Sequence, residues 1–140
     1  MIKDNDLKEY MFKEIDIIED TIKRMAINSF LIKGGAITLI IATFLLGNIY
    51  TILAVLIPLF AFWYLDAYFL GQERAYRKLY AWTIENRLNN NNEKLLDMNA
   101  RLRFGQYIEP KIMLSKTLTI FYGALLLMIV VYTLPFLFTT

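Results

Sequence analysis

Residues 34–65 read GGAITLIIATFLLGNIYTILAVLIPLFAFWYL, an uncharged run bounded by Lys33 and Asp66. A membrane-spanning helix needs about 20 apolar residues, because each residue adds about 1.5 Å and the hydrocarbon core is about 30 Å thick. The run is too long for one span, and its one turn-like break is Gly47-Asn48-Ile49-Tyr50. It therefore predicts two spans joined by a tight turn, over residues 27–46 and 51–70. The alternative is a re-entrant hairpin over residues 34–65, whose arms would be too short to cross.

A second uncharged run covers residues 117–140. It predicts a third span over residues 112–138, with Pro110 well placed at the start of a helix. The expected fold class is an all-α integral membrane protein. We expect a long antiparallel helical hairpin that extends into the cytoplasm, together with a third transmembrane helix.

The composition excludes several classes of protein. The chain has 140 residues, 57% of them hydrophobic and 20% charged, with no Cys and no His. This length fits a single membrane domain over residues 1–140. The absence of Cys and His excludes disulfides, thiolate chemistry and imidazole ligands. A net charge of +2 is too small to predict nucleic-acid binding. Residues 1–26 are charged and lack an apolar core, so no signal peptide is expected.

The basic residues predict an orientation. All 15 Lys and Arg lie in residues 1–33 or 74–116, and none lies in the turn or after Lys116. Positive charge marks cytoplasmic segments, so the N-terminus and the central segment are expected inside the cell. The turn and the C-terminus then face outward, in a multi-pass protein of the inner membrane. Trp63, Tyr64 and Tyr68 lie near the inner end of the second span, where interfacial aromatic residues are expected.

Residues 7–32 carry an apolar stripe at alternating steps of three and four. This heptad-like spacing predicts an amphipathic cytoplasmic helix over residues 1–26 that continues into the first span. A second cytoplasmic helix is expected over residues 71–88, ended by an Asn linker at residues 89–92. The stripe comprises Met11, Ile15, Ile18, Ile22, Met25, Ser29 and Ile32.

The two cytoplasmic helices are expected to provide an interaction surface. Residues 4–26 hold seven acids and four bases, whereas residues 72–89 hold two acids and four bases. The two helices could therefore pack on each other, although an exposed ion pair contributes only about 0–1 kcal/mol. The expected surface comprises Met11, Ile15, Ile18, Ile22, Arg74, Tyr76, Arg77, Lys78 and Leu79.

Two charges fall inside the expected spans, Lys33 and Asp66. In a hairpin that turns between Ile49 and Tyr50, residues at equal depth have numbers that sum to 99, and these two meet that condition. Charges in a bilayer tend to pair because each costs about 2.5–3.5 kcal/mol at the bilayer centre. We therefore predict an intramembrane ion pair, within one chain or between chains. The alternative is that Lys33 extends alone to the interface while Asp66 faces interfacial water.

Residues 93–104 are expected to form a short amphipathic helix. Its apolar residues alternate with basic ones. Two positions are open for it: packing against the hairpin, or lying on anionic lipid as an interfacial helix.

No catalytic site, cofactor or metal site is predicted, so an enzyme is not expected. Asp16, Glu19 and Asp20 form the polar face of a helix, whereas a hard cation needs several convergent oxygens. Ser29 and Ser115 have no evident base partner. The spans carry few polar side chains, so a channel would have to be an oligomer or a hydrophobic constriction.

Three stretches carry a resemblance: IKRMAINSFLIK (22–33), FWYLDAYFLGQER (62–74) and YRKLY (76–80). They resemble small bacterial membrane proteins of mobile and defence islands. The order of helix, two-span hairpin and basic cytoplasmic helix is similar to SLATT-type effectors over residues 10–90. The third span is additional to that two-span pattern.

The resemblance implies a membrane effector in antiviral, abortive-infection defence. Such an effector would form a homo-oligomeric pore in the lipid bilayer, triggered by a cytoplasmic sensor protein or a nucleotide signal. One alternative is a non-conducting adaptor or structural subunit that docks a cytoplasmic partner. A second alternative is a holin-like protein, although a three-span holin would have the opposite orientation.

Overall fold

The computed structural model describes residues 4–89, 91, 95–104 and 110–138. This part of the chain is almost entirely helical and contains no strand, which confirms the expected all-α class. Three stretches are long and apolar enough to cross a membrane: Leu7–Leu46, Ile49–Leu88 and Lys116–Phe136. The helices are α1 (Asp4–Leu46), α2 (Ile49–Ala54), α3 (Leu56–Leu88), α4 (Ala100–Phe104), α5 (Pro110–Met113) and α6 (Lys116–Phe138).

The apolar helices leave most of their surface uncovered. Between 22% and 28% of the most hydrophobic window of each candidate span is buried. Leu45, Ile57 and Leu127 are 84%, 77% and 63% exposed. Such outward-facing apolar side chains would be unfavourable in water and are suited to a lipid environment.

The turn between α1 and α2 is shorter than expected. Gly47 adopts a left-handed φ of 62°, and its N–H donates to the carbonyl of Phe44 at 3.1 Å. The Asn48 side chain accepts from the N–H of Tyr50 at 2.9 Å and so caps α2. Ile49 and Tyr50, expected in the turn, are therefore the first residues of the next helix.

A proline interrupts the second apolar helix. Pro58 lacks an N–H, and its ring crowds the carbonyl four residues earlier, which belongs to Ala54. The helix is interrupted at Val55, between α2 and α3. Beyond this point α3 is continuous to Leu88, where the sequence predicts its end.

The third apolar helix begins later than residue 112. Pro110 starts the short helix α5 as expected, but Leu114 and Ser115 interrupt the chain before α6 begins at Lys116. The Leu114 N–H bonds to the Pro110 carbonyl and the Ser115 N–H to the Ile112 carbonyl, which closes α5.

The chain divides into two compact units. Unit 1 comprises Met1–Ile27 and Phe69–Tyr107, and unit 2 comprises Asn28–Tyr68 and Ile108–Thr140. Both α1 and α3 contribute residues to each unit.

The expected helix over residues 93–104 needs correction. Residues 95–99 form a turn and irregular chain, and only Ala100–Phe104 is helical. The Asp97 carboxylate accepts from the N–H of Asn99 at 3.2 Å, a local bond that competes with helix formation. Glu93 and Lys94, and all of the Asn linker except residues 89 and 91, lie outside the described residues.

Candidate functional site

A buried carboxylate lies in unit 2. Asp66 is fully buried, and both of its oxygens accept from Lys33 Nζ, at 2.8 Å and 2.7 Å. Lys33 is only partly buried, at 22% side-chain exposure. The structure thus brings together the two charges that the sequence places at equal depth, and it does so within one chain.

Two further side chains complete this group. Ser29 Oγ donates to Asp66 Oδ1 and accepts from Lys33 Nζ at 2.7 Å. Tyr122, on α6, donates its hydroxyl to Asp66 Oδ2 at 3.2 Å. Asp66 therefore accepts hydrogen bonds from α1 and α6 while it belongs to α3. We call Ser29, Lys33, Asp66 and Tyr122 the span cluster.

Aromatic rings surround the span cluster. The ring of Tyr122 stacks on Trp63, with centroids 5.5 Å apart, and Trp63 Nε1 donates to the carbonyl of Met113 at 3.0 Å. Phe121 lies edge-on to Tyr122 and 5.9 Å from Lys33 Nζ. These rings shield the charges, and low polarity strengthens the ion pair.

The geometry of the span cluster favours a structural role over transport. Each oxygen of Asp66 is occupied by protein donors, and the carboxylate has no exposed surface. An ion pathway requires polar groups that face water. The cluster instead satisfies the charges of the apolar helices internally, so that they can enter a bilayer without an unpaired ion.

A second buried ion pair lies in unit 1. Glu14 is 1% exposed and Arg87 is 8% exposed. Arg87 Nε donates to Glu14 Oε2 and Arg87 Nη2 donates to Glu14 Oε1, both at 2.9 Å, which is the two-pronged geometry that guanidinium groups favour. Glu14 lies off the apolar stripe of α1 in the sequence, yet its side chain is buried.

The same pair holds the chain that follows α3. Glu14 Oε1 also accepts from the N–H of Leu96 at 3.0 Å, and Arg87 Nη1 donates to the carbonyl of Asn91 at 2.6 Å. Beyond Leu96, Ala100 is fully buried against Ile18 and Leu79. We call residues 95–104 the docked segment.

The docked segment packs on the hairpin, as one of its two expected positions requires. Met98 and Phe104 pack against the core of unit 1. The Arg103 guanidinium lies 3.5 Å from the centre of the Trp82 ring, and Arg103 also pairs with Asp97 at 3.5 Å. Met98, Ala100 and Phe104 are therefore directed at protein.

The expected interaction surface divides into two groups. Ile18 and Leu79 are fully buried, with Ile22 and Tyr76 packed against them, so the apolar stripe is used inside the unit. Met11 and Ile15 are half-buried. Arg74, Arg77 and Lys78 are exposed, and Arg77 pairs with Glu73 at 2.8 Å. An open groove beside them is lined by Glu19, Ile22, Lys23, Arg77 and Tyr80.

Sequence reasoning missed Glu14, Arg87, Ser29 and Tyr122 as members of polar clusters. Glu14 lies three residues after Met11 and four before Ile18, which places it beside the buried stripe. The numbers of Glu14 and Arg87 sum to 101, close to the value that identified Lys33 and Asp66. Nothing comparable marks Tyr122, because the register of α6 is independent of the hairpin turn.

No protein-family model, curated protein or solved structure matches this chain.

Proposed function

We propose that this chain is a bacterial membrane effector that forms a homo-oligomer in the inner membrane and permeabilises it, in antiviral defence of the abortive-infection type. The N-terminus would lie in the cytoplasm and the C-terminus outside. The likeness of residues 22–33 and 62–80 to defence-island membrane proteins supports the assignment.

The span cluster is the observation that supports the proposed oligomer. It satisfies the charges of the apolar helices within one chain and leaves their outer surfaces apolar. One copy is therefore suited to insertion, but its described residues offer no polar path across the membrane. A path for ions would have to form between copies, through assembly or a constriction that opens by wetting.

A second candidate function is that of an adaptor. The groove lined by Glu19, Ile22, Lys23, Arg77 and Tyr80 combines charged and apolar side chains, a mixture typical of surfaces that bind a protein partner. In this function the partner is a cytoplasmic protein and the membrane stays sealed.

Membrane potential distinguishes the two functions. We expect induced expression in bacteria to depolarise the cells, followed with a potentiometric dye, before viability falls. The control is an unrelated three-span protein at the same membrane level. Purified protein should also release a small dye from liposomes. An intact potential together with tight liposomes contradicts the effector and favours the adaptor.

Mass measurement in detergent tests assembly separately. We expect a defined oligomer of the 16.4 kDa chain. A strict monomer in mild detergent, and in crosslinked membranes, contradicts an oligomeric pore.

A further inference from the structure

The docked segment, residues 95–104, has little structure of its own. Its only helix, α4, is five residues long, and helices this short are unstable in isolation. Leu96 adopts a left-handed φ of 62°, which is unfavourable for a residue with a branched side chain. Leu96 is 43% exposed, so packing of its side chain offsets this strain only in part. The conformation must therefore be imposed from outside the segment.

The Glu14–Arg87 pair holds the docked segment in this conformation. Glu14 Oε1 holds the N–H of the strained residue, Leu96, at 3.0 Å. Arg87 Nη1 holds the carbonyl of Asn91 at 2.6 Å, on the other side of the undescribed residues 92–94. One buried ion pair thus fixes the chain on both sides of a connection.

A buried ion pair is a poor choice for stability alone. Well-packed apolar residues of similar volume often stabilise a protein as much or more, because burying two charges removes their hydration. An ion pair differs from an apolar pair in one respect: both members are well hydrated once water reaches them. When the docked segment leaves, water can replace the bonds that Glu14 and Arg87 make to Leu96 and Asn91, while the two charges stay paired between α1 and α3. The pair is therefore compatible with a docked and an undocked segment.

We propose that the Glu14–Arg87 pair is a conformational latch for the docked segment. In the closed state, Met98, Ala100 and Phe104 cover the core of unit 1 around Ile18 and Leu79. In the open state, the segment leaves and this apolar surface becomes available, while α1 and α3 stay folded on each other. The latch is independent of the proposed effector function.

Hydrogen exchange of the full chain in detergent, read by mass spectrometry, tests the latch. Glu14→Gln keeps the shape of the side chain but removes its charge. We expect it to accelerate exchange in residues 95–104 about tenfold or more, while exchange in α1 and in α3 stays within about twofold. The matched control is Glu19→Gln, since Glu19 lies on the same helix and pairs with Lys23 on the surface at 3.3 Å. Glu19→Gln should leave the exchange rate of every segment unchanged.

Two results would overturn the latch. The first is unchanged exchange of the docked segment in Glu14→Gln. The second is an equal acceleration through α1, α3 and the segment, which would make the pair a general support of unit 1. If Glu14→Gln does not fold, Arg87→Lys serves instead, because it keeps the charge but cannot make the two-pronged bond. It should accelerate the docked segment selectively but less strongly, and absence of that effect is equally decisive.

Discussion

The two buried ion pairs join the same two helices, α1 and α3, and differ in what else they hold. In unit 2, Asp66 binds Lys33 and also the hydroxyl groups of Ser29 and Tyr122, all of them on long helices. In unit 1, Glu14 and Arg87 bind each other and the backbone of Leu96 and Asn91, which lie outside any helix. The first pair is thus connected to regular structure, and the second to a chain that has little structure of its own.

The two ion pairs illustrate two different uses of a buried charge. In apolar helices an unpaired carboxylate would be costly in a bilayer, so a closed cluster lowers the free-energy cost of insertion. In unit 1 the same two helices already share the apolar core of Ile18, Ala75 and Leu79. The ion pair there is not needed to join α1 to α3, and its additional contacts go to Leu96 in the docked segment and to Asn91 before it.

Removing Asp66 should break the span cluster and have the largest effect. Asp66→Ala leaves Lys33 without its partner among apolar side chains. We expect the free energy of unfolding in detergent micelles to fall by about 3–5 kcal/mol. The measurement is SDS titration followed by circular dichroism.

The matched control replaces both charges. Lys33→Met with Asp66→Leu removes the pair without leaving an ion, so this variant should be more stable than Asp66→Ala. If the double variant were as unstable as the single one, the loss of the pair itself, rather than the unpaired lysine, would be responsible.

The two pairs also show what a sequence can reveal. Lys33 and Asp66 could be predicted because charge is scarce around them: residues 34–65 have none. Glu14 could not be selected in the same way, since six other acids lie within residues 4–26. The helices, the hairpin turn and the end of α3 follow from hydropathy and turn residues. The irregular chain at residues 95–99 does not, because one of its bonds is to a carboxylate 82 positions earlier in the sequence.

A substitution at Tyr122 tests whether α6 contributes to the stability of the span cluster. Tyr122→Phe removes a hydroxyl that donates to a carboxylate, and it preserves the stacking on Trp63. Hydrogen bonds to charged groups contribute about 1.5–3 kcal/mol, so we expect the free energy of unfolding to fall by an amount within that range in the same SDS titration.

Tyr132→Phe is the comparison for that change. Its hydroxyl donates to the neutral carbonyl of Phe44 at 2.8 Å, and its ring stacks on Phe44. The expected loss is about 0.5–1.5 kcal/mol. Equal losses in the two tyrosine variants would mean that the carboxylate gives Tyr122 no special importance.

The smallest effect should come from the α1–α2 turn, which touches neither ion pair. Gly47 has a φ of 62° and open space where a Cβ would lie, so Gly47→Ala isolates the cost of a left-handed backbone, about 1 kcal/mol. Gly34 also has open space but lies inside α1, where alanine is favoured. Gly34→Ala should therefore raise the free energy of unfolding by about 0.5–1 kcal/mol. A decrease in the free energy of unfolding for Gly47→Ala and an increase for Gly34→Ala would show that the turn depends on its left-handed backbone. An unchanged free energy of unfolding for Gly47→Ala would mean that the turn can form without that conformation.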